Sequence, residues 1–162
     1  MGLKSPRTTH SWLAPAYDLI GQRYVTAIAN AAVKTLHATP VQVAPAPGAG
    51  KYIYVRSWAA RYVFATAAFD GVASNEELTL RYTDGSGGEA APKIPAVGFA
   101  DQATDQLRVI DGGQITAGTP VTPVANAPLV VFVNTGEWFA AAGGGSLIVE
   151  VDYHIRLATP VA

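Results

Sequence analysis

The sequence contains no cysteine, and this absence excludes both a disulfide framework and a zinc site built from cysteine thiolates. Charged residues are also scarce, at 14% of the 162 residues, whereas about a quarter is typical of globular domains. A chain with so few charges has little polar surface to keep free copies apart. We therefore expect that partners cover much of its surface.

The sequence also lacks an excess of basic residues and a long apolar run. Its 11 basic and 12 acidic residues give a net charge of −1, so nucleic-acid binding, which needs a positive surface, is disfavoured. No apolar run approaches the ~18 residues needed to cross a membrane. Residues 1–15 lack the apolar segment of a signal peptide. We expect neither nucleic acid nor a membrane as a partner.

Glycine and proline, at 16 and 11 residues, divide the chain into short segments rich in β-branched and aromatic residues. This pattern predicts an all-β fold. Because the strand segments follow one another without helical segments between them, we expect mainly antiparallel pairing of about eight to ten strands. The predicted architecture is an antiparallel β-sandwich of the jelly-roll or Greek-key type.

The length predicts a single domain, and the composition of its first residues predicts an extended arm before it. Residues 1–16 are largely polar and are interrupted by Pro6 and Pro15. We therefore assign them to an N-terminal arm, and we assign residues 17–162 to one β-sandwich domain.

Apolar side chains interrupt the polar sequence of the arm and its junction with the domain. Trp12 and Leu13 lie within the arm, and Tyr17 follows it. A terminal segment is ordered only where something holds it, and a tryptophan in such a segment usually docks on a surface. We therefore predict that Trp12, Leu13 and Tyr17 contact a partner.

Several strands are predicted from the alternation of apolar and polar residues. Residues 32–38 (AVKTLHA) alternate imperfectly, residues 51–65 form a long strand pair or a bent strand, residues 106–110 (QLRVI) form a short strand, and residues 129–134 (LVVFVN) form a central strand covered on both faces. Residues 17–30 fit extended chain slightly better than a short helix. One face of the 51–65 strand is predicted to consist of Tyr52, Tyr54, Arg56 and Trp58.

The aromatic residues of that face permit two interpretations. Tyr52, Tyr54 and Trp58 could form a platform on which a carbohydrate stacks. A core face or a subunit interface is favoured, because aromatic side chains dominate both.

The last strand segment, GGGSLIVEVDYHIRL (143–157), has the clearest alternation in the chain. Its odd positions from 147 to 157 are all apolar, which predicts that this face is core and that the register is strongly determined. The even positions include Glu150, Asp152, His154 and Arg156. Successive side chains on one face lie about 7 Å apart, which is too far for easy chelation of a metal. We therefore predict a solvated or intersubunit polar face formed by these four residues.

No pattern of catalytic or ligand-binding residues is present. PGAGK (47–51) lacks the first glycine and the final Ser or Thr of a phosphate-binding loop, and there is no HExxH or GxSxG motif. We predict no catalytic, cofactor-binding or metal-binding residue, hence no cofactor and no enzyme. A metal site formed by His37 and His154 across strands, and a small β-sandwich enzyme, remain minor alternatives.

A series of short features between about residue 32 and residue 157 resembles structural proteins of tailed-phage virions. In order, they are a Thr-Pro kink at Thr39-Pro40, an Ala-Pro-Gly turn at 44–50, a Gly-Lys strand start at Lys51, and a strictly alternating last strand at 146–157. Head decoration, or cement, proteins are the most similar. The N-terminal arm lies outside the resemblance.

The resemblance implies a fold and a role. Head decoration proteins are typically trimeric β-sandwiches or jelly rolls on the outer surface of the capsid. By that resemblance we expect a homotrimer that binds the major capsid protein and stabilises its lattice without any catalysis. The alternative is a tail, fibre-adapter or receptor-binding protein with a carbohydrate-binding β-sandwich.

Overall fold

The structure is a computed structural model that describes residues 21–116, 119–138 and 143–158. The described residues form ten strands and one helical turn. Their order is β1 (Gln22–Ile28), α1 (Asn30–Val33), β2 (Val41–Ala44), β3 (Lys51–Ala67), β4 (Glu77–Tyr82), β5 (Ile94–Pro95), β6 (Gln106–Asp111), β7 (Gln114–Thr116), β8 (Thr119–Pro120), β9 (Leu129–Val133) and β10 (Gly144–Leu157). The predicted arm, with Trp12, Leu13 and Tyr17, lies outside the described residues.

The strands form two four-stranded antiparallel sheets and a small hairpin of β7 and β8. The sheet with the order β1-β10-β3-β6 contains the two longest strands and is called the long-strand sheet below. The sheet with the order β2-β9-β4-β5 is called the short-strand sheet. The prediction of a mostly β chain with antiparallel pairing is confirmed.

The ladder between β3 and β10 is the longest in the structure. It pairs Lys51 with Leu157 at one end and Ala67 with Gly144 at the other. The odd positions of β10 from Leu147 to Tyr153 are buried, as the alternation predicts. Beyond them the prediction of a continuous core face is wrong, because the strand reaches the margin of the core and Leu157 is exposed.

A register shift in this ladder reverses the predicted face of β3. The pairing shifts after Asp152, and Arg56 is the β3 residue that is passed over. One extra residue in a strand moves the side chains beyond it to the opposite face. Trp58 is therefore buried in the core, whereas Tyr52 and Tyr54 belong to the other face of the sheet. The expectation that all four larger side chains share one face is wrong.

Strand β9 is buried along its whole length, as predicted for a central strand. It lies between β2 and β4, and all five of its residues are buried. Val130 and Phe132 are on the face of the strand that points away from the core, yet each is only 6% exposed. The His37 ring stacks on Phe132 at 6.3 Å, and the Arg81 guanidinium lies 4.8 Å from the centre of the same ring.

The predicted strand at 32–38 is wrong. That segment contains the end of α1 and a series of turns. Val33 and Leu36 are fully buried and stand three residues apart, which is a helical spacing rather than the spacing of two that a strand needs. The preceding alanines favour this turn, because alanine has the highest helix propensity. The ambiguous 17–30 segment is extended over Gln22–Ile28, where it pairs with β10.

One hydrophobic cluster contains residues of both sheets. Two side chains also connect the sheets and loops through buried hydrogen bonds. The Tyr82 hydroxyl of β4 donates to the Ile53 carbonyl of β3 at 2.7 Å, and the Trp58 indole N–H donates to the Pro92 carbonyl at 3.0 Å. Buried polar groups need such partners, so each bond favours one relative placement of the elements that it joins.

We predict that Tyr82→Phe lowers the free energy of unfolding by about 1–2 kcal/mol, because it removes the donor to a buried carbonyl. Urea denaturation measures the change. Tyr24→Phe is the control, since Tyr24 is 43% exposed and should change stability by less than about 0.5 kcal/mol. Equal effects of the two substitutions would contradict the connection between β4 and β3.

A second prediction concerns alkaline pH. Burial raises the pKa of Tyr62, Tyr82 and Tyr153 above the ordinary 10.0 of a tyrosine. Above pH 10 the unfolded chain loses these protons while the folded chain keeps them, so the free energy of unfolding must fall as the pH rises. Urea denaturation at pH 9 to 11, with phenolate absorbance recorded in parallel, measures both effects. Ionisation of all tyrosines near pH 10 without loss of stability would contradict the burial.

Candidate functional site

The face of the long-strand sheet that points away from the core is the candidate functional site, and it is called the outer face below. The register places side chains of all four strands beside one another on it. Its members are Arg23, Val25 and Ala27 of β1, Ile148, Glu150, Asp152, His154 and Arg156 of β10, Tyr52, Tyr54, Ser57, Ala59 and Arg61 of β3, and Leu107, Val109 and Asp111 of β6.

A concavity of about 290 Å³ lies near the middle of the outer face. Ala59 lies opposite Glu150 on one side and Val109 on the other, and its small side chain leaves a gap between larger neighbours. The lining consists of Ala59, Arg61, Leu107, Val109, Ile148 and Glu150. The site is therefore mostly apolar, with one positive and one negative charge at its wall.

The apolar residues around this concavity are unusually accessible. Leu107 is 58% exposed, Val109 is 63% exposed, and Val25 in the same row is 55% exposed. Single exposed apolar residues are common, but Leu107 and Val109 are neighbours on one face of β6 and both line the concavity, and adjacent exposed apolar residues are typical of an interaction surface.

Ion pairs border the concavity on two sides. Arg23 pairs with Glu150, and Arg61 pairs with Asp105 at 3.1 Å. Asp105 also accepts the Phe64 backbone N–H at 3.0 Å. The hydrogen bond from Arg61, followed by that from Phe64, holds the pKa of the Asp105 carboxyl below its usual range. Exposed pairs of this kind contribute little to stability, so they serve mainly to present ordered charge at the surface.

The four polar residues predicted on the last strand all belong to the outer face. Asp152 accepts a hydrogen bond from the Ser57 hydroxyl at 3.4 Å, and the Arg156 guanidinium lies 4.3 Å from the centre of the Tyr54 ring. The His154 Nε2 atom is buried and has no hydrogen-bond partner among the described residues. Glu150 is the member of this set that lines the concavity.

The structure does not assemble the alternative metal site. His37 lies against the short-strand sheet, where a ring nitrogen is 2.8 Å from the Val133 carbonyl oxygen, while His154 lies on the long-strand sheet. Within residues 21–116, 119–138 and 143–158, no group of three His, Cys, Asp or Glu side chains could hold a metal ion.

The carbohydrate platform suggested by Tyr52, Tyr54 and Trp58 is not formed either. Trp58 is in the core, and the Tyr54 ring is already stacked under Arg156. The PGAGK segment is a turn, as predicted, with Gly48 and Gly50 at φ values of 97° and 71°.

The outer side of the short-strand sheet is closed by the chain itself. Gly85 approaches Phe132 so closely that an added Cβ would lie 3.2 Å from the ring and 3.3 Å from Pro40. Lys93 forms ion pairs with Glu77 at 3.2 Å and with Glu89 at 3.1 Å beside this layer. The two sheets therefore differ, because loops cover the outward side of one and leave the outer face of the other accessible.

The sequence did not identify the concavity. QLRVI (106–110) is predicted as a strand. Leu107 and Val109 share one face of it, and Arg108 and Ile110 share the other. Because both faces carry apolar side chains, the sequence favours neither face as core. In the structure, Arg108 turns inward, donates to the Gly98 carbonyl and lies 5.8 Å from the Phe99 ring. The apolar pair is thereby left on the outer face. No sequence signal marks Ala59 as the floor of a concavity.

No protein-family model, curated protein or solved structure matches this chain. No helix in the described part of the chain is long and apolar enough to cross a membrane. Function is therefore inferred from the outer face together with the sequence resemblance.

We predict that the apolar residues of the outer face are not needed for folding. Val109→Thr should change the free energy of unfolding by less than about 0.5 kcal/mol, because the side chain is accessible to water. Val149→Thr is the matched control on the fully buried face, and it should cost about 1–3 kcal/mol because it buries a hydroxyl. Urea denaturation at low protein concentration compares them, and an equal loss would show that Val109 is a core residue.

Proposed function

We propose that this chain is a structural protein of a tailed-phage virion, of the head decoration type, and that its two sheets stack as a jelly-roll sandwich. The strand orders β1-β10-β3-β6 and β2-β9-β4-β5 support the jelly roll, since eight strands that wind as two Greek keys alternate between sheets in this way. The hydrophobic cluster shared by both sheets supports their stacking.

The role rests on one observation, namely the difference between the outward sides of the two sheets. The short-strand sheet covers Val130 and Phe132 with its own loops, whereas the long-strand sheet leaves Leu107 and Val109 accessible. A chain with few charges gains solubility by covering such a surface through assembly. The outer face presents apolar side chains and charges of both signs, which suits binding to another protein surface.

The proposed mechanism is mechanical. A rigid β-fold binds the major capsid protein at the outer surface of the capsid, and a homotrimer combines three such contacts. Linked contacts bind far more tightly than single ones, so weak individual contacts suffice to stabilise the lattice. The arm, with Trp12, Leu13 and Tyr17, reaches neighbouring subunits. Nothing in this role requires a cofactor or a catalytic group.

Decoration of a capsid is preferred to the alternative of a carbohydrate-binding tail or fibre-adapter protein. That alternative depends on an accessible aromatic platform, and the tryptophan that would complete it is buried.

We predict that the protein in solution has about three times the 16.9 kDa mass of the chain, and that it co-sediments with shells of the major capsid protein encoded in the same genome. Light scattering measures the mass. The double substitution Leu107→Lys with Val109→Lys should weaken co-sedimentation more than about tenfold, because it places charge in an apolar contact between copies and so disrupts the trimer on which tight binding to the shells depends. Gln42→Lys, an exposed position on β2, is the control. A strict monomer without affinity for the shells would exclude the decoration role.

A further inference from the structure

The geometry points to a specific occupant of the concavity: we propose that it receives Trp12 from the N-terminal arm of a second copy of this chain. This inference rests on the proposed function, because that function requires copies of the chain to assemble and the inference assigns the outer face to their contact. The reasons are the size of the outer face, the chemistry of the concavity, the direction in which β1 begins, and the charges of the two partners.

The outer face is too small to hold two globular copies together by itself. Its members span ten residues of β3, nine of β10 and five each of β1 and β6, and at about 3.3 Å per residue and about 4.8 Å between strands they cover roughly 460 Å². A stable interface usually buries about 800 Å² on each partner. An extended segment that crosses the face and is connected to its own domain fits this area better than a second sheet does.

The concavity suits one large side chain with both apolar and polar character. Its volume of about 290 Å³ is just below the roughly 300–1,000 Å³ range for small-molecule pockets. Leu107, Val109 and Ile148 provide apolar contacts, while Glu150 can accept a hydrogen bond and the Arg61 guanidinium can stack on a ring. An indole has a large apolar surface and one N–H donor, and it is the best ring for such cation stacking.

Trp12 is the tryptophan that remains for this site. The sequence contains three tryptophans, and Trp58 and Trp138 are buried in the core. Trp12 lies nine residues before Gly21, where the described chain begins. An extended segment of that length spans about 30 Å, which is enough to reach a neighbouring copy.

The direction of β1 favours a second copy over the same copy. Gln22 pairs with Tyr153, and a Cβ added to Gly21 would lie 3.6 Å from His154 Nε2. The chain therefore enters the sheet from the His154 end, whereas the concavity lies farther along β10 at Ile148 and Glu150. To fill its own concavity, the arm would have to reverse its direction beside the edge strand. The arm of another copy needs no reversal.

Charge also favours this pairing. Lys4 and Arg7 make the arm basic before Trp12. Next to the Ala59 row, Asp152 and Asp111 flank Ser57, and neither forms an ion pair within the described residues. A basic segment that crosses this row on its way to the concavity would pair with both carboxylates, and salt should weaken the contact.

Cysteine cross-linking tests the proposal directly, because the native chain has no cysteine. One variant carries Ser11→Cys, next to Trp12 in sequence, and the other carries Ala27→Cys, which lies on the outer face opposite Ile148. Each variant has a single thiol, so a disulfide between Cys at 11 and Cys at 27 forms only between copies. We expect the mixed variants to give a heterodimer on a non-reducing gel after mild oxidation.

Two controls make the result specific. Ser11→Cys mixed with Gln42→Cys should give at least about tenfold less heterodimer, because Gln42 is exposed on the short-strand sheet. Adding Trp12→Ala to the Ser11→Cys chain should lower the yield with Ala27→Cys by more than about tenfold, since truncation of an aromatic anchor removes most of a small contact. Ala59→Leu, which fills the concavity, should act in the same way.

Three outcomes would overturn the proposal. They are the absence of heterodimer, an equal yield with Gln42→Cys, and a yield that Trp12→Ala leaves unchanged. A fourth outcome would also overturn the proposal. If a chain with both Ser11→Cys and Ala27→Cys forms an internal disulfide at high dilution, while the mixture of single variants gives no heterodimer, the arm binds its own copy.

Co-sedimentation with capsid shells separates this inference from the proposed function. Heterodimers without affinity for the shells would support the exchange of arms and contradict the decoration role. Trimers that bind the shells but give no heterodimer would support the decoration role and contradict the exchange.

Discussion

The antiparallel ladder between β3 and β10 is the interaction on which the rest of the structure depends. It extends from Lys51 and Leu157 to Ala67 and Gly144, and it provides the two central strands of the long-strand sheet. Because side chains alternate strictly along β10, burial of its apolar positions determines which way the whole sheet faces. β1 and β6 then pair with its two sides, and the short-strand sheet contributes to the same core.

The register shift at Arg56 divides this ladder into two parts with different roles. On one side of it Trp58 is directed into the core, and on the other side Tyr52 and Tyr54 are directed outward. The shift therefore removes a tryptophan from the surface and places an arginine–aromatic stack, Arg156 on Tyr54, at the end of the outer face. A single extra residue in one strand decides between a carbohydrate platform and a packed core.

The outward sides of the two sheets differ in how far their apolar side chains are covered, and this difference is the basis for the functional proposal. Phe132 is covered by His37, Arg81 and the close approach of Gly85, so the short-strand sheet needs no partner there. The outer face has an alanine at its centre with accessible apolar neighbours, and two of its charges, Glu150 and Arg61, form ion pairs beside the concavity. We propose that a protein surface built in this way serves an assembly contact.

The sequence by itself determined the all-β class, the antiparallel pairing, the buried central strand at 129–133 and the core face of β10 from Leu147 to Tyr153, because local alternation and composition set these features. Only the tertiary structure decided the helical turn at Asn30–Val33, the reversal of faces at Arg56 and the concavity at Ala59. The physical reason is that these depend on pairing between strands that lie far apart in the chain. An alternating segment such as QLRVI has two equivalent faces until a neighbouring strand and Phe99 make one of them the inside.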